Sequence, residues 1–446
     1  MKNTRVSYLF VIVFHALLAL IIFAAPFLSK IYAILIFVIG CVIVHKSKNK
    51  NNEVLFISAY LVGAEVFLRM TGGNLNNEYV KFSVMFFIIY GMIYSNFSKN
   101  ALIYLMFILL LIPAIFVTTL EAGNSIDIKK ALFFNLSGPF CIAICSIYMY
   151  RRKIEFDTLR GILITMGFPI ISTTIYLFLY SPSIKDVVTG TQSNFETSGG
   201  FGPNQVSTIL GLGMFIFFTQ LILFSKSKLE FLINSMLFVF ISYRGIVTFS
   251  RGGIITAVGM IVSLLFLLYY FSNARGKSKV SLIVVLTGLL SLGIWTYSSF
   301  QTRGLIEKRY ANKDALGREK KDRLGGREEI MDIEIKLFMD NPFLGIGAGL
   351  SKSKRAEELG AEVASHNEIT RLLAEHGVFG LVAFLILFTV PFFLYLNNKE
   401  HLYFLSFFIF WLLTINHAAM RTAAPAFVYA LCLLSVQVKI PEETEN

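Results

Sequence analysis

Apolar runs long enough to cross a bilayer as helices recur along this chain from Val6 to Val438, and that recurrence leaves a bundle of membrane helices as the architecture open to it. Fourteen runs can be drawn, beginning with residues 6–27, 31–44 and 54–68 and ending with 378–396, 402–415 and 425–438. Several are short for a hydrocarbon core of about 30 Å, so the pattern predicts an all-α, polytopic membrane protein with about 12–14 transmembrane helices. A hydrophobic content of 55% and a mean hydropathy of +0.67 exclude a soluble globular chain. The first run follows Lys2 and Arg5 as in a secretory signal, but it has no A-x-A cleavage site and many spans follow it, so it reads as a retained first helix.

The net charge of +12 would suggest nucleic acid in a soluble protein. Here much of the Lys and Arg falls in short connections between apolar runs, where it sets orientation. Lys46, Lys48 and Lys50, then Arg151, Arg152 and Lys153, then Lys226 and Lys228, then Arg275, Lys277 and Lys279 mark alternate loops as cytoplasmic, together with both termini. By alternation, residues 181–203, 242–253, 299–377 and 416–422 face the other, extracytoplasmic side. Arg244, Arg251 and Arg421 break the positive-inside pattern, and each needs a reason to sit there. Cys41, Cys141, Cys145 and Cys432 all lie in apolar runs and read as small buried hydrophobes.

One wet segment stands out. The chain divides into a helix bundle over 1–298, a polar loop over 299–377, and further membrane helices with a short cytoplasmic tail over 378–446. Within the loop, residues 328–340 place Ile330, Ile333 and Leu337 at helical spacing, and Asn341-Pro342 ends that helix. The loop is therefore folded. Gly345-Ile-Gly-Ala-Gly349 has the look of a phosphate loop, but no βαβ unit surrounds it and no Lys-Ser/Thr follows, so it reads as a flexible turn.

Ser365-His-Asn-Glu368 has the form of a capping box, which predicts a helix starting at Ser365 and ending near Gly377. His366 would then lie in the first turn, where open amides favour an anion and a neutral imidazole, the state a general base requires. The plainer reading is a polar surface histidine. His376, at the helix end, reads as a cation serving the dipole. Arg251, in Phe-Ser-Arg-Gly-Gly, enters a hydrophobic helix where a guanidinium can grip either lipid phosphate or a ligand phosphate, and the two glycines allow close backbone approach. Arg327, after Gly325-Gly326, offers another cation. Arg318, Lys320, Lys321 and Arg323 read as a solvated or lipid-facing basic run, and Glu65 and Arg69 as a helical-turn pair. No residues have metal-ligand spacing, so neither metal nor cofactor is expected.

The order of these pieces resembles the O-antigen ligase and polymerase superfamily of bacterial envelope glycan transferases. The resemblance rests on S-R-G-G entering a helix, G-R before an amphipathic stretch, N-P-F-L-G-I-G-A-G, then S-H-N-E-I-T-R-L-L-A-E-H-G-V-F-G-L, and it is carried by residues 249–381, with Gly200-Phe-Gly-Pro-Asn204 before another helix in keeping. It implies a metal-independent, inverting glycosyltransferase of the cytoplasmic membrane, working on its outer face. Such an enzyme takes a glycan from an undecaprenyl-diphosphate carrier to a glycan or lipid A core acceptor, as ligase or polymerase. Carried over by motif, His366 is the catalytic position and Arg251 and Arg327 the diphosphate-binding ones. Arg244 is added by position alone, and Asn367, Arg371 and Glu375 stand as supporting residues of open role. A glycan flippase or ion-coupled transporter would share the helix count, but the arginines gather near one surface rather than at the bilayer midplane.

Overall fold

The computed structural model describes residues 2–121, 127–320, 327–360, 365–418 and 420–438. The first half is α1 (Lys2–Ala24), α2 (Leu28–Ser47), α3 (Glu53–Met70), α4 (Tyr79–Tyr94), α5 (Ile103–Glu121), α6 (Ile128–Met149), α7 (Phe156–Tyr180) and the single turn α8 (Ile184–Val187). Then come α9 (Pro203–Thr219), α10 (Lys228–Ile246), α11 (Arg251–Phe271) and α12 (Ala274–Gln301). The polar segment holds α13 (Leu305–Tyr310), α14 (Arg327–Asp340) and α15 (Ser351–Leu359), and the chain returns through α16 (Glu368–Leu396), α17 (Phe404–His417) and α18 (Ala424–Leu431).

Among the described residues nine helices are long and apolar enough to cross a membrane, and three shorter apolar ones accompany them. The all-α polytopic class holds. The span drawn over 425–438 does not: α18 is eight residues long, buried along its whole length, and the chain then turns into a strand, β2 (Ser435–Gln437), paired in parallel with β1 (Lys153–Glu155). A helix too short to cross unaided fits here because neighbouring helices, not lipid, surround it. Its N-terminus is closed by Glu65, which accepts from the Ala423 amide at 2.7 Å and also pairs with Arg69 at 2.8 Å, the partner its spacing predicts.

Helix association in lipid depends on close backbone approach at small residues. On α9 and α11 this is explicit: a Cβ on Gly211 would lie 2.3 Å from the Gly253 carbonyl oxygen, and one on Gly253 would lie 2.2 Å from the Ser207 carbonyl. Gly253→Ala should therefore force α9 and α11 apart and cost about 1–3 kcal/mol, as overpacking does. Thermal unfolding of the purified variant in detergent measures it.

The helices leave two polar ends. At one, Asn49 donates to Ser95 and Arg152 to Asn52 and the Asn96 carbonyl, joining two of the lysine- and arginine-rich connections to the one between α4 and α5. At the other, the described residues of the segments 181–203, 242–253, 299–377 and 416–422 meet, and the candidate site lies among them. All four cysteines are free, three of them fully buried.

Candidate active site

The site begins where α11 begins. Phe249 takes a left-handed backbone (φ 59°), turning the chain so that its carbonyl accepts from Arg309 Nε at 3.0 Å and Ser250 becomes the N-cap of α11. Ser250 donates its hydroxyl to Asn204 Oδ1 at 2.8 Å, while its carbonyl accepts from Ser207 at 2.9 Å. Asn204 also reaches the His417 carbonyl, and Thr208 lies 3.1 Å from His417 Nε2. Gly-Phe-Gly-Pro-Asn204 thus braces the start of α11. The close approach expected at Gly252 and Gly253 is made by protein, not ligand, since a Cβ on Gly252 would strike the His417 ring at 2.3 Å.

Held this way, Arg251 is the first residue of α11 and Arg327 the first of α14. Between them, electrostatically, sits Arg309. Burial lowers its guanidinium from the usual range to about 10, with Arg251 and then Arg327 adding like-charge repulsion; it stays charged at neutral pH. Burial and Arg251 lower Arg327 as well. Three guanidinium groups that disfavour one another's charge, two of them the first residues of helices, make a positive region whose repulsion an anion would relieve. The Tyr310 hydroxyl beside them is buried and has no hydrogen-bonding partner among the described residues.

His366 completes the group. It lines a small cavity of about 70 Å³ with Arg327, Ile330, Met331, Asn367 and Asn416. The helix behind it starts at Glu368 rather than Ser365, because Asn367 is the N-cap: its Oδ1 accepts from the amides of Ile369 at 2.9 Å and Thr370 at 3.4 Å. Glu334 takes the Ser365 hydroxyl, and Glu368 pairs with Arg371 instead of reaching back. His366 therefore precedes the helix instead of occupying its first turn. It is neutral for a different reason from the one expected: burial lowers it to about 4, and the surrounding Arg421, Arg327, His417 and Arg355 all act in the same direction. Its Nδ1 is buried without a hydrogen-bonding partner among the described residues.

A buried polar layer fixes this segment. Glu334 and Arg355, 0% and 1% exposed, meet at 2.5 Å, and Glu334 also accepts from Ser365 at 3.2 Å and Thr370 at 2.5 Å. Arg371 donates to Glu368 and to Asn135 on α6. Glu375 accepts from Ser351 at 2.6 Å. Asn367, Arg371 and Glu375 are thus a cap and two ties, holding the His366 segment from behind. Arg421 donates to the Ser365 carbonyl at 3.0 Å.

Gly377 (φ 59°) breaks α16 as a helix-ending glycine should, and the run resumes at once as a membrane span. The carbonyls exposed by the break are taken by the glycine-rich turn: Ile346 donates to Ala374 at 2.9 Å, Gly347 to Glu375 at 3.2 Å. A Cβ on Gly345 would sit 2.4 Å from the Glu375 carbonyl, so those glycines serve backbone contact within the fold. His376 is 3% exposed and packed inside the break, not an exposed terminal cation.

Arg244 stands apart from the cluster. It is 1% exposed at the end of α10, and it donates to the carbonyls of Ser181 at 3.2 Å and Thr197 at 3.1 Å with the Phe178 ring beneath it. Its guanidinium tethers the 181–197 loop, and a diphosphate contact is not what its geometry supplies. The sequence reading passed over Arg309, Tyr310, Asn416, His417, Glu334 and Arg355. Arg421 did carry a signal, as an arginine on the side where basic residues are scarce.

What the fold and site define is a polytopic membrane protein with a cationic, histidine-bearing cleft at one polar end. Residues 236–385, from α10 into the membrane half of α16, match the family model of the O-antigen ligases, over the same stretch whose motifs carry the resemblance to that family. Every predicted site residue falls inside it, whereas Asn204, Asn416, His417 and Arg421 lie outside. No curated protein matches the chain.

Proposed function

We propose that the protein transfers a glycan from an undecaprenyl-diphosphate carrier to an acceptor sugar hydroxyl at the extracytoplasmic face of the bacterial cytoplasmic membrane, in the assembly of a surface polysaccharide. The observation that carries this is Arg327, which lines the cavity that holds His366 and at the same time acts electrostatically on Arg309, itself beside Arg251. Diphosphate oxygens would bridge the guanidinium groups, with the anomeric carbon turned toward His366. The acceptor oxygen bonds to that carbon as the bond to the diphosphate oxygen breaks. The carrier leaves with the electron pair, and His366 takes the hydroxyl proton. One displacement inverts the anomeric centre. The arginines stabilise the charge that grows on the leaving diphosphate, a service other enzymes obtain from a divalent ion.

Arg251→Ala and Arg327→Ala should each lower transfer by about 10²–10³, the effect of removing one charge-stabilising donor. Lysine at either position should recover little, because a point charge does not reproduce the planar fork. Rates from purified protein with saturating donor measure both, and transfer should continue undiminished in excess EDTA. Ligase and polymerase differ in acceptor. Deletion of the gene separates them: single repeat units left on the carrier mark a polymerase, and full-length polymer stranded on the carrier marks a ligase. A deletion strain with unchanged envelope glycan and carrier-linked material overturns both.

A further inference from the structure

At the polar end opposite the His366 site, where the α2–α3, α4–α5 and α6–β1 connections meet, lies a cavity of about 350 Å³. Four cations line it, Lys50 from the first connection and Arg151, Arg152 and Lys153 from the third, and among the described residues no carboxylate does. The bias of basic residues toward one face of a membrane requires only that these connections be rich in Lys and Arg. It does not require cations from two connections to converge on one hollow, and that convergence needs its own reason.

Arg152 forms the inner wall. Its hydrogen bonds go to neutral oxygens: Nε donates to the Tyr148 carbonyl at 3.0 Å, and the two terminal nitrogens donate to Asn52 Oδ1 at 3.3 Å and the Asn96 carbonyl at 3.0 Å. Its guanidinium also lies 3.7 Å from the centre of the Tyr148 ring. Burial lowers Arg152 from the usual range, and among the described residues only the Tyr148 phenol acts the other way. Lys50, Arg151 and Lys153 are exposed at the rim, and no ion pair among the described residues involves any of the four. Glu53 and Glu155, the acidic residues closest to them in sequence, stay off the lining, and Glu53 accepts from the Asn51 amide and side chain at 3.1 and 3.0 Å.

Neutral groups complete the lining. Asn49 donates to Ser95 at 3.1 Å and to the Tyr148 hydroxyl at 2.7 Å, which fixes the floor, and Phe97, 44% exposed, adds an aromatic edge. Cations and an aromatic ring around one hollow at the end of membrane helices suit a phosphate whose remainder lies in water or in lipid. We infer that this cavity binds an anionic phosphate ester, presented either by a phospholipid headgroup or by a soluble compound. Arg152 supplies a fixed inner contact, and Lys50, Arg151 and Lys153 close on the anion from the rim. The site is separate from the proposed glycan transfer and does not depend on it.

The test is equilibrium binding to purified full-length protein in a neutral detergent, using dihexanoyl phosphatidylglycerol, glycerol 3-phosphate and the zwitterionic dihexanoyl phosphatidylcholine as probes. At least one of the two anionic probes should bind about tenfold or more tightly than phosphatidylcholine, and Lys50→Gln/Arg151→Gln/Lys153→Gln should remove that preference. The three side chains are exposed, and Arg152 is kept because its bonds hold the connections together. A charge-matched control, Lys46→Gln/Lys226→Gln/Lys228→Gln, takes three cations from the same end but outside the cavity and should keep the preference. Tight binding of phosphatidylglycerol beside weak binding of glycerol 3-phosphate identifies a lipid headgroup, and equal binding of the two identifies a soluble ester; either supports the site. Equal affinity for all three probes, a preference that survives the cavity substitutions, or one lost equally in the control would overturn the inference.

Discussion

Replacing His366 by alanine should lower glycan transfer by about 10²–10⁴, the range a positioned general base contributes, with no loss of folded protein. The side chain is half-buried, and among the described residues its Nδ1 has no hydrogen-bonding partner to be stranded by its removal. Its pH behaviour follows from its surroundings. In the free enzyme burial and four neighbouring cationic or imidazole groups hold it near 4, so it is neutral through the whole physiological range. The proton-accepting form is lost only as pH falls through about 4, and kcat/KM should carry an acid limb there. A bound diphosphate would offset Arg327 and Arg421 and raise the imidazole toward neutrality, where proton transfer is most effective. The acid limb of kcat, which reports the bound complex, should therefore lie at higher pH than that of kcat/KM. Rate profiles over pH 3.5–8 check both; coincident limbs would mean the diphosphate is not adjacent to His366.

Glu334→Ala should be the most damaging substitution outside the cleft. It removes the carboxylate paired with Arg355, 1% exposed, and the acceptor for the hydroxyls of Ser365 and Thr370. Breaking a buried ion pair from one side costs about 3–5 kcal/mol, because the remaining charge stays buried with its main counter-charge removed. Transfer should fall with stability, since Ser365 is the residue before His366. Glu334→Leu with Arg355→Met removes both charges and should recover most of the stability, but not the Ser365 and Thr370 contacts. Thermal unfolding of the single and double variants in detergent measures the difference; a double variant as unstable as the single would show that packing, rather than the lost counter-charge, is at fault.

Much of this architecture is legible in the residues because lipid removes alternatives: a long apolar run must be a helix, and basic connections sort the ends. The amphipathic helix over 328–340, the break at Gly377 and the Glu65–Arg69 pair follow from spacing and turn chemistry alone. The run 425–438 misleads because hydropathy is the same for a span against lipid and for a short helix sealed inside the bundle. Ser365 misleads because two good N-caps stand two residues apart, and a carboxylate thirty-one positions earlier, Glu334, decides between them. Arg309 on α13 and Asn416 and His417 at the end of α17 come to this region from helices about a hundred residues apart, and no local pattern joins them. Arg244 shows the converse: position marked it, but the Ser181 and Thr197 carbonyls occupy it.

The most direct trial of the central claim is turnover in detergent, where transport across a membrane cannot contribute. Purified full-length protein is supplied with undecaprenyl-diphosphate-linked glycan and acceptor, in EDTA, and both the lengthened or ligated glycan and the released carrier diphosphate are followed. Equimolar appearance of the two with wild type, and neither with folded His366→Ala, is the predicted result. Folded wild-type protein that releases no carrier, or His366→Ala that releases it at the wild-type rate, would contradict the account.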